Sequence, residues 1–235
     1  MNKLKTLIAC ATLLPALALA AMPAPYNARY EVLRNGDRAG ESTVSLRALG
    51  GGRAEFHSST TGSEGLAAIA GAALEERSVL RWQDGAPETV SWEYHQKIAW
   101  KSRDRSLAVD AQAHRLDLRD KDKRYSPPYR PGVLDRHAVT VAIIQDVAAG
   151  RSGELRYSVP DKDEMGVWVF RTGASEKLDT AMGAQRALRV ERVRESGGGR
   201  STTMWLAQDH GYVPLRILQR EPDGETIDMR ITSLH

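Results

Sequence analysis

The chain has 235 residues, with 33 Lys and Arg against 30 Asp and Glu, and a single cysteine, Cys10. Lys3 and Lys5 sit in a leading segment; without them 31 basic residues face 30 acidic ones. That balance lacks the dense basic stripe of a nucleic-acid binder, and the position of Cys10 excludes thiol catalysis and thiolate metal sites from the rest of the chain.

Residues 1–20 read as a targeting segment. Met1 to Lys5 form a basic n-region, "LIACATLLPALALA" is an apolar stretch of signal-peptide length, and Ala18-Leu19-Ala20 puts small residues at a cleavage site. A membrane anchor needs roughly 20 continuous apolar residues, and this run stops short at "AMPAPY". The expectation is a cleaved signal peptide over 1–20, a single β-rich domain over 21–235, a periplasmic location and no transmembrane segment in the mature chain. "LIAC" also looks like a lipoprotein box. The apolar core ahead of it (Leu4, Leu7, Ile8 and Ala9, broken by Lys5 and Thr6) is short for an h-region, so lipidation at Cys10 is the lesser alternative.

"ARYEVLR" alternates, Asn35-Gly36-Asp37 makes a turn, and "RAGESTVSLRA" returns. After "GGGR", "AEFHSSTTG" completes a three-strand meander. "SEGLAAIAGAALEE" is Ala-rich with Leu66 and Ile69 on one helical face, while Gly65 and Gly71 oppose a helix; a short helix and an apolar loop are both open. "RSVLRWQDG" and "PETVSWEYHQK" are strands around Asp84-Gly85, and "AWKSRDRSLAVDAQAHRLDLRD" reads as two more polar strands. Pro127, Pro128 and Pro131 mark a loop. From Asp135 to Ala149 the period turns helical, with Val139, Ala142, Ile143 and Val147 on one face, Asp135 as N-cap and Gly150 as the stop. Strands resume at "ELRYSVPD" and continue to "TIDMRITSL". The predicted fold is mainly β: a curved antiparallel sheet, or an open or closed barrel, of about a dozen strands with one inserted helix (about 135–149) packed on it.

Asp209-His210 in "WLAQDHGYVPLRI" offers an acid/base pair. Asp and Gly form turns, and neighbouring strand residues point to opposite faces, so a hairpin turn is the better reading. His57, His95, His114, His137 and His235 show no metal-ligand spacing, and no H-E-x-x-H occurs. "GSEG" around Ser63 is not a nucleophile elbow. "DKDEMG" imitates a calcium loop, but Met165 and Thr172 occupy ligand positions, which favours an acidic loop. No catalytic set, metal site or cofactor site is expected. The aromatics on predicted strands remain. As structural residues they are core; as functional ones, Trp82, Trp92, Tyr94, Trp168 and Trp205 are the candidates to line an apolar ligand cavity in a curved sheet, with Trp100 also on a predicted strand.

"YNARYEVLRNGDRAGEST", "EKLDTAMGAQRALRVERV" and "MWLAQDHGYVPLRIL" occur in that order. With the early Tyr, the Asn-Gly turn before a second Gly, Leu178-Asp179-Thr180 ahead of Gly183, and Trp205-Leu206-Ala207 before Pro214-Leu215-Arg216, the chain resembles the exported bacterial family catalogued as domain of unknown function 3108. "GVLDRHAVTVAIIQDVAAG" resembles that family's Asp-led helix, without a clear Ser after the Asp. The resemblance implies a periplasmic β-rich protein and carries over no catalytic residue. More loosely, the layout resembles the periplasmic lipoprotein carriers, whose curved sheet wraps a helix around an apolar cavity.

The expected function is a non-enzymatic periplasmic envelope protein binding a lipid or other apolar ligand on its concave face. Two alternatives stay open. One is an envelope hydrolase assembled from scattered residues, with His95, His137 or His210 near a carboxylate and a Ser. The other is a scaffold that pairs with another envelope protein through an exposed sheet edge.

Overall fold

The computed structural model describes residues 22–63, 71–194 and 199–235. The expected signal peptide with Cys10, and residues 64–70 of the Ala-rich stretch, lie outside the described residues.

Strands β1 (Tyr26–Arg34), β2 (Asp37–Gly50), β3 (Arg53–Gly62), β4 (Ala73–Gln83), β5 (Ala86–Ile98), β6 (Lys101–Asp110), β7 (Arg115–Asp120) and β8 (Lys123–Tyr125) form one meander. Helix α1 (Val139–Ala148) follows, and then β9 (Glu154–Asp161), β10 (Glu164–Thr180), β11 (Gly183–Val193), β12 (Ser201–Ala207), β13 (Pro214–Arg220) and β14 (Thr226–Leu234) form a second. β1 pairs with both β2 and β14, so the two meanders join into one 14-stranded antiparallel sheet with β8 and β9 at its edges. The sheet does not close into a barrel.

Local chemistry sets the register. Asn35 and Gly36 both take positive φ (53° and 91°), the type I′ geometry that matches strand twist and fixes the β1–β2 hairpin. Gly40 serves a different need: a Cβ there would lie 2.1 Å from the Thr61 carbonyl oxygen, so β2 and β3 approach this closely only around a glycine. Bulges at Arg29/Tyr30, Val79/Leu80 and Trp205/Leu206 bend the sheet, and its concave face wraps α1. Strand alternation supplies that face: Tyr26, Ala28, Tyr30 and Val32 of β1 are all buried.

The Ala-rich stretch does not form a helix where it is described. Ala73 to Glu76 begin β4, paired with Thr61 to Ser58 of β3 and Lys97 to Tyr94 of β5. Two-sided ladder bonding overrides the helical propensity of alanine. Trp100 is also not on a strand. It sits in the β5–β6 turn beside Ala99, which has φ 53°, and is 89% exposed.

The helix is shorter than its periodicity predicts. Regular structure starts at Val139, with Ala138 as N-cap. Asp135 instead holds the preceding turn: its Oδ1 accepts from the backbone N–H of His137 (2.9 Å) and of Ala138 (2.8 Å). The same carboxylate accepts from Ser78 Oγ on β4 (2.9 Å) and Thr89 Oγ1 on β5 (2.8 Å), while the Asp135 N–H donates to Thr89 Oγ1. The linker bridges the two arms of the sheet as well: Thr89 N–H donates to the Val133 carbonyl and Leu134 N–H to that of Ser158 on β9, both at 2.9 Å.

Further along α1, Gln145 accepts from Trp82 Nε1 and donates to the Gly85 carbonyl, and Tyr157 of β9 donates to Asp146 (2.8 Å). Val139, Val141, Ala142, Ile143, Ile144, Gln145 and Val147 are buried, so this helix is covered nearly all round. A second, smaller core gathers Trp92, Leu107, Leu116 and Val133.

Asp135 is the anchor, and its removal leaves two backbone donors and two hydroxyls without their acceptor. Asp135→Ala is expected to lower unfolding free energy by about 3 kcal/mol or more in urea titration. Asp135→Asn keeps an acceptor for the three Oδ1 bonds and can donate to Thr89, so it should lose less than half as much.

Candidate functional site

Between α1 and the concave face lies a cleft of about 930 Å³. Its apolar walls come from both arms of the sheet and from the helix: Val44 and Phe56 on one side, Met204 and Ile217 on the other, Val139 and Ile143 above. Of the five aromatic candidates, Tyr94 and Trp168 line this cleft. The other three do not. Trp82 is tied to Gln145 of α1. Trp205 is 8% exposed within the main core, donates to Glu176, and carries the Arg216 guanidinium 4.8 Å from its ring centroid. Trp92 borders only a separate cavity of about 30 Å³, room for little more than a water.

The histidines separate into His137, part-buried with its Nε2 shielded from solvent, and others nearer the surface. His137 stacks on Phe56 at 4.2 Å between centroids and lies 3.0 Å from Ser78 Oγ through Nδ1. A carboxylate, a serine and a histidine, as a hydrolase would require, thus meet behind the cleft, which His137 lines and the buried Ser78 and Asp135 do not. Their order is wrong for a hydrolase. Ser78 is the middle member; with its proton directed to Asp135, the His137 tautomer that completes the set is Nδ1–H donating to Ser78 Oγ. In a nucleophile relay the histidine stands in the middle and takes the serine proton. Burial also holds the His137 imidazole neutral, with a pKa pushed down to about 3, a poor general base. Desolvation pushes the Asp135 carboxyl above its usual range, against the opposing pull of its hydrogen bonds.

His95 pairs with Asp104 on the exposed surface (2.8 Å) and His210 with Gln185 (3.1 Å). Asp209 and His210 lie in the β12–β13 turn, where His210 and Tyr212 N–H both donate to the Ala207 carbonyl. Asp209 reaches back to Arg186 of β11 with two bonds, at 2.7 and 3.1 Å, and does not orient the imidazole. "DKDEMG" is the β9–β10 hairpin turn. Among the described residues, no group of three or more His, Cys, Asp or Glu gathers as metal ligands, and no helix is long and apolar enough to cross a membrane.

Two buried polar atoms lack a hydrogen-bond partner among the described residues: Tyr26 Oη and His137 Nε2. Both residues line the cleft, and an unpartnered buried polar atom in a native fold calls for an explanation. The polar part of the cleft is richer than the aromatics led us to expect. Arg103 and Arg105 of β6, Arg192 on β11 and Arg194 just beyond it contribute, with Arg136, Arg200, Glu76 and Glu221. The sequence signal was the i, i+2 spacing in "RDR" and "RVR", which puts each basic pair on one strand face.

Glu76 faces this region from β4 and accepts from Trp92 Nε1 (3.3 Å). Desolvation first, then the nearby Asp135 charge, push its pKa from 4.5 up to about 7. A carboxyl whose folded pKa is raised destabilises the fold as it ionises, so stability is lost as pH rises from about 4.5 through 7. Glu76→Gln is therefore expected to match the parent chain at pH 4 and to exceed it by on the order of 2 kcal/mol at pH 8, read by denaturant melts at both pH values.

The chain is similar to solved structures, one of them at a TM-score that shows the fold. A β-barrel-like protein of domain of unknown function DUF1849 from Brucella abortus aligns with 89% of this chain and 96% of its own, at 10% identity and a TM-score of 0.54. A protein with a YmcC-like fold from Bacteroides fragilis aligns over 89% of this chain and 95% of its own, at 10% identity and a TM-score of 0.40. No curated protein matches the chain. A family model described as protein of unknown function (DUF3108) matches residues 26–232, and the chain belongs to that family.

Proposed function

We propose that this protein is a non-enzymatic envelope protein of the periplasm that binds a lipid or another apolar ligand in the cleft beneath α1. Residues 1–20 are its export signal, cleaved after Ala20, and residues 21–235 work as one domain. The observation that carries the reading is the cleft itself: about 930 Å³ bounded by apolar side chains from both arms of the sheet and from the helix. That volume is near the top of the range for small-molecule sites. Tyr94 and Trp168 are the aromatic contacts. The non-enzymatic reading is supported by the order Asp135–Ser78–His137, which sends the serine proton to the carboxylate. The location rests on the basic n-region, apolar stretch and small residues of the leading segment.

Scaffolding through a sheet edge has less support. One edge strand, β8, is three residues long, and the other, β9, already accepts a bond from Leu134 in the linker.

The test is to fill the cleft from opposite walls. Ser58 and Thr202 line it, and both are part-exposed. Ser58→Trp and Thr202→Trp should each weaken binding of a fluorescent acyl probe by at least about tenfold, with melting temperatures close to the parent. Unaltered probe binding in both variants places the ligand elsewhere and overturns the reading.

A further inference from the structure

Six arginines and two glutamates line the cleft, and the arginines differ in how they are paired. Arg103 and Arg105 converge on Asp120, at 2.7 and 2.6 Å. Arg200 pairs with Glu221. Arg136, Arg192 and Arg194 have no carboxylate within salt-bridge reach among the described residues. The Arg192 guanidinium lies 3.5 Å over the Trp168 ring, which holds its planar fork in place at the edge of the apolar wall.

These guanidiniums also act on one another. Desolvation and then the Arg194, Arg136 and Arg200 charges bring Arg192 down to about 10; desolvation and then Arg105 lower Arg136, while Glu76 and Asp161 oppose this. Glu76, raised to about 7, is only part-ionised at neutral pH. Among the described residues the Arg136, Arg192 and Arg194 guanidiniums, one part-buried and two exposed, stand beside an apolar cavity with no direct carboxylate partner, and arginine forks match carboxylate and phosphate oxygens.

We propose that Arg136, Arg192 and Arg194 hold the anionic headgroup of an amphiphile, a carboxylate or a phosphate, whose acyl chain fills the apolar part of the cleft. The proposal rests on the ligand-binding reading and names the class of ligand. Trp168 then lies where headgroup and chain meet, because it lines the cleft and carries Arg192.

The experiment is calorimetric titration of the full mature chain at low salt with three twelve-carbon probes: lauroyl lysophosphatidate, laurate and the uncharged monolauroylglycerol. Both anions should bind at least about tenfold more tightly than monolauroylglycerol. The stronger of the two identifies the headgroup as phosphate or carboxylate. Raising the salt should narrow the gap. In Arg136→Gln/Arg192→Gln both anions should fall to the affinity of the uncharged probe. If that variant does not fold, as read by circular dichroism, the exposed Arg194→Gln alone should still reduce the preference. Equal binding of all three probes, or a preference that survives the substitutions, overturns the headgroup proposal and leaves the apolar cleft standing. Binding of none overturns both.

Discussion

The structure depends on one buried carboxylate. Asp135 ends the linker that leaves the first meander, and its four accepted hydrogen bonds join the turn before α1 to β4 and β5. A ten-residue helix is too short to be stable alone in water. It forms here because its start is pinned and because nearly every side is covered by sheet. The carboxylate is costly to bury, and full hydrogen bonding offsets that cost. The same contacts set where the helix crosses the concave face and so where the cleft lies.

Element lengths explain why a cleft remains. At 1.5 Å per residue, α1 spans about 15 Å. At 3.3 Å per residue, the 17 residues of β10 span about 56 Å along the bent strand. The helix therefore covers only part of the face that the sheet presents. The first and last strands, β1 and β14, pair at the centre of the sheet, so both outer arms curl toward the helix from a fixed spine. Where the arms would meet, the linker supplies single bridging bonds in place of a ladder, and no barrel closes.

Much of this was legible in the sequence. Alternation marked the strands, Asn35-Gly36 marked its hairpin, and the 3.6-residue period marked the helix. The Asp209-His210 turn was also readable, because adjacent residues at a hairpin tip answer to the neighbouring strand rather than to each other. Other features were hidden for physical reasons. Ala73–Glu76 has helical composition, and only the ladders with β3 and β5 make it a strand. Asp135 announces itself as a cap, but its bonds to Ser78 and Thr89 span 57 and 46 residues of chain. The arginines were hardest to see. A polar residue on a strand normally marks the solvent face, and alternation cannot tell an outer surface from a concave one that encloses a polar-edged cleft. Of the five aromatic candidates, Tyr94 and Trp168 line the cleft, while Trp82, Trp92 and Trp205 each donate to a polar partner within the fold, a pairing that alternation does not show.

The central claim is that the space beneath α1 is a ligand site. The most direct measurement is photo-crosslinking with an acyl chain carrying a diazirine near its end, followed by peptide mapping of the labelled positions. The account predicts label on cleft residues from all three walls, such as Phe56, Ile143 and Met204. Label confined to the convex face, or at the exposed Trp100 hairpin alone, would contradict it.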